Sequence, residues 1–515
     1  MFSALAGVAT GVASLAAGAQ NAGIGDTVAD RMGVTYSFTV RNTPGLNENQ
    51  TWQQAWKNLA AGVTRISPER SYNYWDPNAN NGFGRAKVEF IENEMKLAHA
   101  NGTTPVVKFI FLPRFENGRD LTDVKWFEVG KAFAERYRIG SQWNKNNTSS
   151  SFGCRRWMIL NEIDGPWYHV GKDKSPENTE SLQKFMNQYR NANRAFAQGV
   201  RASDPSAEVY LGPLATGWVT EGSFRAEEWV KAAADLLKST GTDRIDGFGL
   251  HTYPTTALSG QPGFQRKMDP QVQYNDIIAH AGLQSVSPKL YTTEAGVEQN
   301  DALLANNAVV NLSQGLDQQV PGQLFLASLW NHLSVKHVSG PRDGQLANEF
   351  TLAFSPFDIQ RGQWVSMATD ARWHLKNNGT FAPNSRGLVY QLITQLTKNV
   401  RITKVIRNSG TVQVEGRGLG GQRLYVRAHY PGDPYPNSNT WSVWAPPNTS
   451  RIQTFYWNSV DWRPKAAPQG VPVAAAQINF DKKPYGRFVQ FGVRPGETCM
   501  AFVSGGGIAP FENAN

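Results

Sequence analysis

Two short apolar runs each end near a carboxylate. Residues 156–163 (RWMILNEI) finish on Leu160-Asn161-Glu162-Ile163, and residues 289–296 (KLYTTEAG) carry Thr293-Glu294 close to their end. A single glutamate where an apolar run meets its loop is ordinarily just a solvated residue. Two of them facing across a cleft are what cleavage of a glycosidic bond needs: one acid protonates the departing oxygen, and one carboxylate attacks the anomeric carbon or activates water. Supporting residue types fall at the ends of other runs. Arg65 lies in 62–67 (GVTRIS), His251 and Tyr253 in 246–254 (DGFGLHTYP), and Trp330 in 323–331 (QLFLASLWN). A guanidinium can hydrogen-bond a carboxylate and hold it ionised. A tyrosine hydroxyl beside a nucleophile can orient it, Asn161 next to the acid can bond a sugar hydroxyl, and a tryptophan offers a flat apolar face to a sugar ring.

More aromatic residues follow successive runs: Trp75, Phe115, Trp167 with Tyr168, and Trp218. Each stands where a cleft would open, and together they suggest walls suited to stacking on sugars. Lys108 and Arg114 belong to or follow the run 105–112 and are candidates to bind carboxylated sugars. No metal site is expected. His332 and His337 lack an acidic or cysteine partner at ligand spacing and read as ordinary histidines. No cofactor is expected either, since no Gly-rich phosphate loop follows the first run. Nor is there the GxSxG elbow of a serine hydrolase. Cys154 and Cys499 are the two cysteines; as a pair or as free thiols they cannot make a disulfide framework.

These residues need strands to carry them. Eight apolar runs, 32–40, 62–67, 105–112, 156–163, 208–215, 246–254, 289–296 and 323–331, alternate with amphipathic stretches. In 85–101, Val88, Ile91, Met95 and Ala98 share one helical face and Gly102 follows as a cap. Similar stripes occupy 122–138 and 180–202, weaker ones 224–238, 271–283 and 301–315, and a last helix fits 384–398. Eight strands alternating with helices predict a (β/α)8 barrel over 29–399, whose active site belongs at the C-terminal ends of the strands. After residue 400 the helical period stops. Runs at 400–406, 411–415, 422–428, 486–493 and 498–504 predict an all-β sandwich over 400–515. Residues 1–28 are Ala/Gly-rich, and 1–25 carry no charged side chain. They read as a signal, as a membrane or particle anchor with a Gly7-xxx-Gly11 spacing, or as a flexible lead.

Composition bounds the partners. In 515 residues there are 51 Lys and Arg against 42 Asp and Glu, a net charge of +9. The basic residues are scattered rather than gathered on one stripe, so nucleic acid is not expected, while attraction to an acidic polysaccharide stays open. Aromatics are 11% and charged residues 18%, which excludes a disordered chain.

Together the residues resemble a clan A retaining glycoside hydrolase. In that clan an Asn-Glu pair ends strand four and supplies the acid/base, and a glutamate ending strand seven is the nucleophile. Arg on strand two, His-x-Tyr on strand six and Trp on strand eight complete the set. Asn161-Glu162, Glu294, Arg65, His251 with Tyr253, and Trp330 match it, over roughly residues 30–400. A barrel followed by a β-sandwich is similar to the β-xylosidase and α-L-iduronidase family and to related exopolysaccharide hydrolases. The resemblance implies double displacement on an extracellular or surface-associated carbohydrate. Two alternatives stay open: a carbohydrate- or receptor-binding protein on a glycosidase-like barrel, and a virion-associated depolymerase anchored by residues 1–25.

Overall fold

A computed structural model describes residues 27–35, 50–67, 85–109, 123–164, 179–214, 226–252, 269–295, 328–354, 357–358, 382–383, 385–408, 411–418, 420–429, 440–457, 474–479, 485–492 and 498–505. Eight parallel strands close into a barrel: β1 (Met32–Thr35), β2 (Val63–Ile66), β3 (Thr104–Phe109), β4 (Arg156–Ile159), β5 (Glu208–Leu214), β6 (Gly247–Thr252), β7 (Lys289–Ala295) and β8 (Asn348–Phe354). Helices Arg85–Ala100, Asp123–Tyr137, Thr179–Ser203, Pro270–His280 and Ser385–Thr397 lie between or after them. The chain is therefore a (β/α)8 barrel. Gly102 adopts φ +67°, the left-handed turn that ends the helix before β3.

The barrel interior is filled in levels. Val63, Val106, Met158, Tyr210, Tyr291, Phe350 and Leu352 form one buried apolar plug contributed by six strands. Gly33 of β1 leaves room for it, because a Cβ there would overlap Leu352 and Val63. Below the plug, at the strand starts, Arg156 and Lys289 sit 3.3 Å and 3.4 Å from Glu208. Burial alone would raise the Glu208 carboxyl. Arg156, Lys289, the Tyr210 hydroxyl and Arg155 outweigh it and hold the group down at about 2. One step above the plug along β2 and β3 come Arg65 and Lys108, both buried. The pleat places side chains two residues apart on one face, so both continue the inward-facing rows of Val63 and Val106.

One strand differs from the sequence expectation. Residues 323–331 are not the eighth strand; within 328–333 the chain is helical, and β8 is Asn348–Phe354. The run is rich in Leu and Ala, which favour helix, and carries no β-branched residue. Trp330 consequently does not end a barrel strand. It is fully buried in an apolar cluster with Val28, Met32, Trp56, Leu333, Tyr390 and Val400.

Beyond the barrel, β9 (Phe357–Asp358) pairs with β10 (Ala382–Pro383). A six-stranded antiparallel sheet then follows, in the order β11 (Val400–Asn408), β12 (Thr411–Gly418), β13 (Arg423–His429), β18 (Thr498–Gly505), β15 (Thr449–Trp457), β16 (Ala474–Asn479). A two-stranded sheet pairs β14 (Thr440–Ala445) with β17 (Arg487–Gly492). Alternation along the strands divides the large sheet's two faces. Val412, Val414, Leu424, Val426 and Met500 pack toward the barrel helices, while Tyr425, Ile452, Cys499, Ala501 and Val503 pack with Trp441, Val443 and Phe491 of the small sheet. Both cysteines are buried and free. Among the described residues no helix is long and apolar enough to cross a membrane. Residues 1–25 lie outside the described residues.

Candidate active site

The chain leaves β4 through an unusual turn. Leu160 (φ +68°) and Glu162 (φ +50°) both take the left-handed backbone region although neither is glycine. Such residues cost of order 1–3 kcal/mol each and persist only where the surroundings over-determine them. Here β5 does so. The Glu162 N–H donates to the Pro213 carbonyl at 2.7 Å. Gly212 lets the β4 end come close, since a Cβ there would overlap the Ile159 carbonyl oxygen. The Tyr189 hydroxyl donates to the Gly212 carbonyl at 3.0 Å. The register of β5 against β6 slips between Leu211 and Leu214, so Gly212-Pro213 forms the irregularity that receives the turn.

Glu162 meets a histidine from β6. His251 is buried, with Nδ1 2.8 Å from Glu162 Oε1 and Nε2 2.6 Å from Thr293 Oγ1. Burial pushes the imidazole below its ordinary value, although Glu294 and the Glu162 hydrogen bond pull the other way. A neutral ring has one donor and one acceptor. When Glu162 is ionised, Nδ1–H donates to it and Nε2 accepts from the Thr293 hydroxyl.

Glu294, on β7, is buried to 8% exposure. Its Oε1 accepts a hydrogen bond from Arg65 Nη1 and lies 3.2 Å from Lys108 Nζ. Arg65 Nη1 also donates to the Thr293 carbonyl at 3.3 Å, which fixes the guanidinium against the β7 backbone. Glu294 Oε2 stands 3.6 Å from His251 Nδ1. Carboxylate oxygens of Glu162 and Glu294 and a ring nitrogen of His251 all lie within 4.8 Å of one another. Spacing alone would let this trio hold a metal ion. The donor set does not fit one, because Arg65 and Lys108 already place two positive charges on the Glu294 carboxylate and would repel a third.

The structure thus gathers Arg65, Asn161, Glu162, His251 and Glu294 at the C-terminal ends of β2, β4, β6 and β7. Asn161 Oδ1 is enclosed and has no hydrogen-bond partner among the described residues. Trp330 is not part of the group, as described above. Tyr253, Trp75, Phe115, Arg114, Trp167, Tyr168 and Trp218 lie outside the described residues. Lys108 is present, but its ammonium is wholly buried on Glu294 rather than offered to a carboxylated sugar. Thr293, Gly212 and Pro213 were not singled out by their residue types. The one sequence signal for the last two is a Gly-Pro pair inside an otherwise apolar strand. His332 donates or accepts through Nδ1 at 2.8 Å from the Ser328 carbonyl, and His337 Nδ1 lies 2.8 Å from the Tyr274 hydroxyl. Burial pushes both imidazoles down to about 4, as for core histidines.

No protein-family model matches the chain, and no curated protein does. Solved structures do. A glucosidase from Croceicoccus marinus superposes with TM-score 0.53 at 13% identity, over 94% of this chain and 98% of that one. A GH39 enzyme from Xanthomonas axonopodis pv. citri gives TM-score 0.53 at 12% identity, over 95% and 96%. A GH86 protein in complex with neoagarooctaose gives 0.55 at 11% identity, over 94% of this chain and 75% of that one. At such identities the likeness speaks for architecture. The chain has the (β/α)8 fold of the clan A glycoside hydrolases, with a β domain after the barrel.

Proposed function

We propose that the protein is a retaining glycoside hydrolase with Glu294 as nucleophile and Glu162 as acid/base. The observation that carries this reading is the carboxylate spacing: oxygens of Glu162 and Glu294 lie within 4.8 Å. Retaining enzymes hold their carboxyls about 5–5.5 Å apart, whereas inverting ones need about 6.5–9.5 Å to admit a water. Environment divides the roles. Glu294, paired with two cations, is suited to attack as an anion. Glu162 faces a neutral imidazole and keeps no cationic partner among the printed contacts of its carboxylate, which suits a group that must take up and release a proton.

In the first step Glu294 bonds to the anomeric carbon, the glycosidic bond breaks, and the departing oxygen takes the Glu162 proton. Water then attacks the same carbon, gives a proton to Glu162, and frees Glu294. Asn161, with its unpartnered Oδ1, is placed to accept a hydrogen bond from a sugar hydroxyl. The substrate is a polysaccharide or oligosaccharide, acidic glycans included, met outside the cell or at a particle surface with residues 1–25 as leader or anchor.

The test is a panel of aryl glycosides and polysaccharides, including glucosides, xylosides, uronates and agar oligosaccharides, with the anomeric configuration of the fresh product read by NMR. Retention is expected. Glu162→Gln and Glu294→Gln should each lower turnover by at least roughly 1,000-fold while melting as the parent does. Sugar binding without release of reducing ends by the parent protein would refute hydrolysis and leave a binding protein. Undiminished turnover in either variant would refute that residue's role.

A further inference from the structure

Lys108 has no part in the resemblance that led to this site, yet its position is unusual. It sits on β3 directly above the apolar plug, with no solvent exposure. Burying an ammonium costs several kcal/mol unless an anion and hydrogen bonds compensate. The compensation is Glu294 Oε1, 3.2 Å away. That same oxygen already accepts from Arg65. The two oxygens of Glu294 are therefore unequal. Oε1 holds both cations, one from β2 and one from β3. Oε2 faces His251 and has neither in the contacts described. The groups around the carboxylate are Arg65 from β2, Lys108 from β3, Glu162 from the turn after β4, His251 from β6, and its own neighbour Thr293.

We infer that Lys108 is a positioning residue that reserves Oε2 of Glu294 for attack and makes Glu294 a competent leaving group in the second half of the reaction. This rests on the double-displacement reading above. In the first step the Oε2 lone pair forms the bond to the anomeric carbon, and Oε1 becomes the carbonyl oxygen of the glycosyl ester. In the second step water attacks that carbon, the carbon–Oε2 bond breaks, and the electron pair returns to the carboxylate. The charge that reappears is met at Oε1 by an ammonium and a guanidinium held in place beforehand, which is electrostatic preorganisation aimed at developing charge. The cations act in opposite directions on the two steps. They blunt the attacking carboxylate slightly and favour its departure strongly. A single guanidinium would serve the first step; the second cation serves the release.

The experiment compares the parent with Lys108→Met on the aryl β-glycoside that the panel shows to be turned over best. With a reactive leaving group, kcat/KM reports glycosylation and kcat reports deglycosylation. Loss of a hydrogen bond to a charged group translates into a fall in kcat of roughly 10- to 100-fold. KM should fall with it, so that kcat/KM stays within about threefold. Intact-mass spectra during turnover should show the chain carrying one sugar in the variant and little in the parent. Lys108→Arg keeps the charge and should restore most of kcat and remove the accumulated adduct. If methionine at this site prevents folding, Lys108→Gln provides the same comparison. A parallel fall in kcat and kcat/KM without adduct, or an unchanged kcat, would overturn the proposal. Products of inverted configuration from the parent would instead refute the retaining reading, and the role of Lys108 with it.

Discussion

His251 links the two carboxylates and needs its proton on one nitrogen. Its Nδ1 serves Glu162 and its Nε2 meets Thr293 Oγ1 at 2.6 Å. Burial keeps the ring neutral, so the Thr293 hydroxyl decides which nitrogen is the donor. Thr293→Val keeps the shape and removes that hydroxyl. It is expected to destabilise by about 1–3 kcal/mol, because a buried ring nitrogen loses its partner. It should also reduce kcat several-fold, since the ring can then present either tautomer to Glu162. Pairing a melting curve with the pH–rate profile checks both. A profile and kcat equal to the parent's would show that Thr293 does not set the tautomer. At this scale much was readable from residue type: Arg65, Glu162, His251 and Glu294 each end an apolar run, and a charged residue there has few purposes. Lys108 was readable as a strand residue but not as a partner of Glu294, because that contact joins β3 to β7 across the barrel, and nothing local in 104–109 announces it.

The turn after β4 and the irregularity in β5 are one device made by two elements. Leu160 and Glu162 hold left-handed φ values, and the Pro213 carbonyl and the bare Gly212 backbone receive them. Gly212→Ala tests the device without touching any catalytic group. The added Cβ must displace the Ile159 carbonyl or the Leu160 backbone. The expected result is a loss of about 1–3 kcal/mol and a fall in turnover of at least roughly 10-fold, because a shift near 1 Å at a reacting group can cost about 100-fold. Thermal melting and turnover measured together decide it: a variant that melts lower but turns over normally would separate β5 from the placement of Glu162. Seven of the eight barrel strands start within a residue of the apolar runs read from sequence. The eighth failed for a physical reason. The run 323–331 is apolar because part of it is a helix sunk between barrel and sheet, while β8 begins with Asn348 and Glu349, polar residues that disguise the inward-facing Phe350 and Leu352. Trp330 was misplaced with that strand.

At the scale of the whole molecule, the six-stranded sheet closes the barrel's flank. Trp330, Leu333, Tyr390, Ile393 and Leu396 from the barrel side share one buried cluster with Val400, Val405, Val412, Leu424 and Met500 from the sheet. A polar clamp locks the same joint. Arg407 donates to Asp269 Oδ1 and Asn331 Oδ1 at 3.1 Å each, to the Asn331 carbonyl at 2.6 Å and to Ser334 Oγ at 2.8 Å. The Lys336 ammonium donates to the Val405 carbonyl at 2.8 Å. The change of period near residue 400 made the β region legible, but not its dependence on the barrel, since apolar strand faces look alike whether they meet a second sheet or a helix. A chain ending at residue 399 would bare large side chains worth about 1.5–3 kcal/mol each when buried, more in sum than the roughly 5–15 kcal/mol that stabilises a folded protein. Such a chain is expected to be insoluble or to bind a hydrophobic dye strongly. Arg407→Met in the full chain, which breaks only the clamp, should still fold and melt a few degrees lower. A soluble 1–399 chain that melts cooperatively at the parent's temperature would mean that the barrel owes the sheet nothing. Its failure beside a folded Arg407→Met would locate the dependence in the apolar cluster and not in the clamp.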